Sequence, residues 1–187
     1  MERIAALLLS IGVLAAPLPS KADGVDRTTF VPEGWEGAYD FGYAPVVRVG
    51  DMVIVSGVPA SGDGSYEEKI RGMYRRAGEL LEAAGASFAD VVELTTFHTT
   101  PKDSPAFREE FELYMPIHRE FFADNRPAWT AVGTTTLLSK TAPVEMRLVA
   151  VVGSGKTARV VRGAVETPEA PAATASSEPE TGASSPN

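Results

Sequence analysis

Two β-branched runs flank a Gly-Asp pair near the start of the patterned part of the chain. Val46-Val47-Arg48-Val49, the turn Gly50-Asp51 and Met52-Val53-Ile54-Val55-Ser56-Gly57 together predict a β-hairpin. Ser61 to Tyr66 is polar and reads as a loop. From Glu67 to Ala84, the residues Ile70, Met73, Tyr74, Ala77, Leu80, Leu81 and Ala84 recur at helical spacing, and Gly85 stands where a C-terminal cap belongs. Asp90 to Thr100 is rich in Val and Thr and predicts a strand. A second helix, Ser104 to Phe122, is expected to bury Phe107, Phe111, Tyr114, His118 and Phe121, with Pro116 kinking it or removing one backbone bond. Ala128 to Thr136 and Val144 to Val152 predict two more strands joined by a polar turn. The order ββαβαββ is an α+β domain with a mixed β-sheet and two helices packed on one face. Val53 to Val55 and Leu148 to Val152 are apolar on both faces, so the uncovered face calls for burial by another subunit.

Both ends of the chain depart from this patterning. Met1-Glu2-Arg3 precedes an apolar run from Ile4 to Ala16, then Pro17-Leu18-Pro19-Ser20-Lys21-Ala22. The run is shorter than the roughly 20 residues of a membrane span, and Ser20 and Ala22 are small residues suited to cleavage. Residues 1–22 therefore read as a secretory signal, giving an exported, periplasmic or secreted protein with no membrane attachment after cleavage. Residues 23–40 form a lead-in and 41–152 the folded domain. Residues 153–187 read as a flexible, acidic, low-complexity tail; from Thr167 on it holds no aliphatic residue larger than Ala.

Composition narrows the chemistry. The 187 residues carry 17 Lys and Arg against 25 Asp and Glu, a net −8, which argues against a nucleic-acid partner. With no Cys, disulfides and thiolate sites are excluded. Gly153-Ser154-Gly155-Lys156-Thr157 imitates a phosphate-binding loop, but Ala150 stands where the motif needs Gly and no full helix follows. It reads instead as a flexible exit from the last strand. The only histidines, His98 and His118, lack metal-site spacing, so no metal is expected. His118 falls on the apolar stripe and reads as a core or interface residue; His98 stays open between a strand edge and a pocket lining. No Ser sits in a Gly-x-Ser-x-Gly elbow, and the many Thr suit strands.

An ordered set of segments resembles the reactive intermediate deaminase family, the RidA/YjgF-like proteins. They are Gly42-Tyr43-Ala44-Pro45-Val46-Val47, the hairpin Val49 to Gly57, and Ala83-Ala84-Gly85-Ala86-Ser87-Phe88-Ala89-Asp90-Val91-Val92. Leu94-Thr95-Thr96-Phe97, Arg126-Pro127-Ala128-Trp129-Thr130-Ala131-Val132-Gly133, Val144-Glu145-Met146 and Leu148-Val149-Ala150 complete it. The resemblance implies a chorismate-mutase-like α+β fold assembled as a homotrimer, with small-molecule ligands in intersubunit clefts. It also implies hydrolysis of reactive enamines and imines to a 2-oxo acid and ammonia, with no cofactor.

Carried over residue by residue, the resemblance makes Tyr43 a pocket tyrosine, Ser56 and Gly57 the strand-end turn, and Glu145 the water-orienting, catalytic carboxylate. The family's carboxylate-binding arginine follows Pro-Ala, where this chain has Trp129, and Met115 stands where a polar pocket residue is frequent. Trp129 is then either a ligand-facing wall or core filler. Arg126 and Arg147 are the nearby candidates to replace the lost cation. Arg147 shares a strand face with Glu145, as a pocket partner or as a plain ion pair. Two functions are compatible with these residues: a deaminase-type hydrolase with an altered substrate, or a non-catalytic trimer with an apolar intersubunit pocket.

Overall fold

The computed structural model describes residues 24–163; the expected signal segment and most of the expected tail lie outside them. The hairpin forms as β2 (Val46–Val49) and β3 (Met52–Pro59), paired Val49 to Met52 across the two-residue turn. Gly50 there has φ +58°, a left-handed conformation that glycine adopts at little cost. Upstream, two elements join that the periodicity did not announce. These are β1 (Arg27–Phe30), which pairs antiparallel with β2, and a short helix α1 (Glu36–Phe41).

The long helix α2 (Tyr66–Ala83) starts at a reciprocal cap. The Glu68 amide donates to Ser65 Oγ, and the Ser65 amide donates to the Glu68 carboxylate. It ends where Gly85, at φ +80°, lets its own amide reach Glu82 O and the Ala86 amide reach Leu81 O. Its stripe Ile70, Met73, Tyr74, Ala77, Leu80 and Leu81 is buried as the spacing predicts.

A 3-10 turn leads into β4 (Val91–His98), and α3 (Ser104–Phe121) crosses back to β5 (Ala128–Gly133), which lies parallel to β4. A parallel pair requires such a crossover. Pro116 stays within a continuous α3; lacking an N–H, it leaves only the Glu112 carbonyl without its helical donor. The last strand, β6 (Val144–Val151), inserts between β3 and β4, so the sheet order is β1-β2-β3-β6-β4-β5. The Gly-Ser-Gly exit is docked, not loose. Ser154–Thr157 forms a 3-10 turn in which Ser154 Oγ donates to Asp90 O and the Gly155 amide to Asp90 Oδ1.

Strand parity sorts the two faces. Val144, Met146, Leu148 and Ala150 on β6 point to α2 and α3 and are buried. Glu145, Arg147, Val149 and Val151 point the other way, with Val47, Ile54 and Phe97 on neighbouring strands. That second face has no covering element within the described residues. Met52 and Val151 are 40% and 36% exposed there, an apolar surface of the kind that subunits bury. No helix among the described residues is long and apolar enough to cross a membrane.

Candidate functional site

The cleft around Glu145 is assembled by three local devices. Between Val55 and Val58, β3 has one residue more than β6 opposite it, a bulge that displaces Ser56 and Gly57 from the regular ladder. Ser56 is tied to the segment before β2: its amide donates to Pro45 O and its hydroxyl to Ala44 O at 2.7 Å. These bonds tie the bulge to the segment just after Tyr43, which lines the same cleft. The β5–β6 connection then supplies Leu138 and Ser139 as the opposite wall. Together they enclose a cleft of about 470 Å³ lined by Tyr43, Ser56, Gly57 and Glu145, with Pro59 at its side. Of the residues that the family resemblance assigned to the site, the fold brings these four together.

Glu145 is half-buried and makes no hydrogen bond or ion pair among the described residues. Burial raises its carboxyl above the usual carboxylate range, because the charged form loses hydration. A carboxyl so placed can take a proton from water and return it to a leaving nitrogen. Gly57 makes room for it: a Cβ at position 57 would lie 2.8 Å from Glu145 Cδ. The atom in the way is the end of a movable side chain, so Gly57→Ala is expected to fold normally and to turn the carboxyl out of the cleft. A displacement of this kind costs up to about 10²-fold in rate. Unchanged circular dichroism with a fall in turnover is the expected pair of results; unchanged turnover would remove Gly57 from the site.

The cations do not join this cleft. Arg147 shares the face of Glu145 but pairs with Glu93 across β4 and β6, at 3.0 Å. Arg126 donates to the carbonyls of Phe122, Ala123 and Asn125, closing the C-terminal end of α3. The described residues include no group of three His, Asp or Glu that could hold a metal ion.

Trp129 lies on the other face of the sheet. It is opposite Leu94, under the helices, with its ring stacked on His118 at 4.5 Å between centroids. Its indole N–H donates to Thr96 Oγ1 at 3.1 Å. Thr96 in turn meets His98 Nε2 at 2.9 Å, and His98 Nδ1 meets Glu110 Oε1 at 2.7 Å. Tyr66 also donates to Glu110 Oε1, and burial followed by the charge of Glu110 pushes the Tyr66 hydroxyl far up. His98 is therefore neither an edge nor a pocket residue: it is fully buried and paired. His118 is a core residue, bonded to Tyr74; burial, then Arg126 and Arg119, lower it to about 4.

Sequence spacing missed Glu110. It sits three residues after Phe107 and four before Tyr114, on the stripe itself, and this position was the available signal. The buried residues of α3 are Glu110, Tyr114, Ile117 and His118, while Phe107, Phe111 and Phe121 are only half-buried. Met115 lines a separate groove of about 430 Å³ with Arg108, Phe111 and Arg119 on the outer side of α3. Within one chain, Trp129 and Met115 do not meet the Glu145 cleft.

Comparison with known proteins agrees with this architecture. Residues 39–152 match the profile of the family described as Endoribonuclease L-PSP. The RutC family protein YjgH of Escherichia coli is 35% identical over 120 residues, 60% of this chain and 87% of that protein. The human 2-iminobutanoate/2-iminopropanoate deaminase is 29% identical over 123 residues, 62% of this chain and 84% of that protein. Among solved structures, a Mycobacterium tuberculosis member of the YjgF/YER057c/UK114 family is 33% identical, with a TM-score of 0.57. The likeness covers 68% of this chain and 100% of that one.

Proposed function

The chain belongs to the Endoribonuclease L-PSP family, the RidA/YjgF proteins, and from that premise we propose that it is a deaminase-type hydrolase of reactive imines and enamines. The observation that carries the reading is Glu145, an unpaired, half-buried carboxyl aimed into a cleft with Tyr43, Ser56 and Gly57. Water attacks the imine carbon, Glu145 takes the proton and passes it to nitrogen, and ammonia leaves. Tyr43 offers a hydroxyl to the same space, and the bulge at Ser56 and Gly57 shapes it. An RNA substrate fits less well. A phosphate backbone is held by clustered Lys and Arg, and none lines this cleft among the described residues.

The working assembly in this reading is a homotrimer. Its subunits bury the uncovered sheet face. Light scattering should give three times the mass of the subunit, which is 19.8 kDa for the full chain; a monomer mass would overturn the assembly. The same reading has the protein exported, with residues 1–22 removed, so protein recovered from the periplasm or medium should begin at Asp23.

The activity test generates imines in situ with an oxidase and follows their loss with and without the purified protein. Acceleration is expected, and its absence for every imine tried would overturn the hydrolase. The groove beside Phe111 and Met115 favours a second reading, a trimer that binds an apolar ligand without turning it over. That reading predicts saturable binding with no ammonia released.

A further inference from the structure

We propose that the substrate of the Glu145 cleft is an imine without a carboxylate, the protonated imine of an aldehyde or ketone bearing an apolar group. This inference rests on the hydrolase reading and narrows its substrate class. Its first support is the charge of the cleft. Among the described residues that line it, Glu145 is the one carboxyl, Tyr43 the one phenol, and there is no Lys or Arg.

The two candidate arginines are committed elsewhere, Arg147 to Glu93 and Arg126 to three carbonyls at the end of α3, and Lys140, beside the lining residue Ser139, is exposed. A substrate carboxylate would thus enter beside Glu145 with no cation among the lining residues to hold it, and like charges at close range repel. A cationic iminium enters the same space with the opposite sign. The second support is the apolar character of the walls. Pro59 and the exposed Leu138 line the cleft with Tyr43, whose ring Phe41 meets edge-on at 6.3 Å. These surfaces suit a hydrocarbon substituent.

The reaction balances without a cofactor. Water oxygen bonds to the iminium carbon, the C=N π pair moves to nitrogen, and Glu145 carries one proton from the incoming water to that nitrogen. The C–N bond then breaks, the hydroxyl proton is lost as the carbonyl forms, and R₂C=NH₂⁺ plus H₂O becomes R₂C=O plus NH₄⁺. The class of reaction that supplies such a substrate is the two-electron oxidation of a primary amine.

The test uses the full chain and pairs of imines that differ only in the carboxylate. Leucine and phenylalanine are oxidised in situ by an amino-acid oxidase, and 3-methylbutylamine and 2-phenylethylamine by a flavin amine oxidase. The imine that survives is trapped with semicarbazide. The amine-derived imines are expected to be favoured by about 10²-fold in kcat/KM, the discrimination expected where a carboxylate lacks its ion pair. Leu138→Arg, at an exposed position, should raise the imino-acid rate at least tenfold, and no rise would overturn the charge argument. Equal or faster hydrolysis of the imino acids by the unaltered protein would overturn the substrate class and leave the hydrolase standing. Failure with all four imines would overturn both. Acceleration that persists in Glu145→Gln would place the chemistry outside this cleft and overturn the proposal.

Discussion

Glu145→Gln is expected to lower turnover by about 10²–10⁴-fold while leaving the protein at least as stable at neutral pH. The first half follows from the proton-transferring role proposed for Glu145, the one carboxyl that lines the cleft among the described residues. The second follows from the direction of its pKa, which burial raises above the ordinary 4.5. A carboxyl that ionises less readily when folded binds protons that the unfolded chain has already released, so it lowers stability as pH rises. The burial cost is absent below the unfolded pKa and develops fully once pH passes the folded value. Gln, of the same shape and uncharged, has no such cost. Urea midpoints at pH 4 and pH 8 should nearly coincide for the two proteins at the low pH, with the variant equal or higher at the high pH. A midpoint that falls at both pH values would make Glu145 a structural residue and remove it from the mechanism.

Glu110→Ala should be among the most destabilising changes that can be made to a polar residue here, by about 3 kcal/mol. Glu110 Oε1 is the acceptor for both Tyr66 and His98, and His98 has no accessible surface. Truncation leaves the imidazole and the phenol without their partner and opens a gap beneath α3. The second carboxylate oxygen, Oε2, is buried without a hydrogen-bond partner among the described residues, so the native arrangement already carries a cost. Glu110→Gln keeps an acceptor for Tyr66 and should lose less than the Ala variant. The distinguishing readout is Trp129 emission in a Trp35→Phe background. Because the chain of bonds runs from Glu110 through His98 and Thr96 to the indole N–H, both variants should shift it. A shift in stability with unchanged emission would confine the effect to packing.

The β2–β3 hairpin, the helices α2 and α3 and the succession of later strands along the chain were legible because each depends on neighbours close in sequence. The Gly50-Asp51 turn and the Ile70 to Leu81 stripe state their periods outright. The strand β1 did not, since Arg27 to Thr29 are exposed and that strand exists only by pairing with β2. Trp129 shows the other limit. Two neighbouring strand positions differ only in parity, and the face that position 129 takes is set by its pairing with Leu94 across a parallel ladder. No local pattern encodes that register. Glu110 was hidden for a related reason: an acidic residue on an apolar stripe is unfavourable until its partner, twelve residues earlier on β4, is known. Tyr43, Ser56 and Gly57 converge with Glu145 from 88 to 102 residues away in sequence, and it was the motif order, not any spacing, that linked them.

The position of β6 in the sheet also sets an order of events during synthesis. The strands β1 to β3 touch β4 and β5 only through β6, which pairs with β3 on one edge and β4 on the other. A ribosome that has made everything up to Pro143 has produced two separate sheets, each with a long unpaired edge of the sort that invites aggregation. The residue that begins to join them is Val144, and the next one is Glu145. The nascent chain therefore joins its two sheets and gains the carboxyl of the cleft within the same few residues, and no shorter intermediate of translation can hold the cleft.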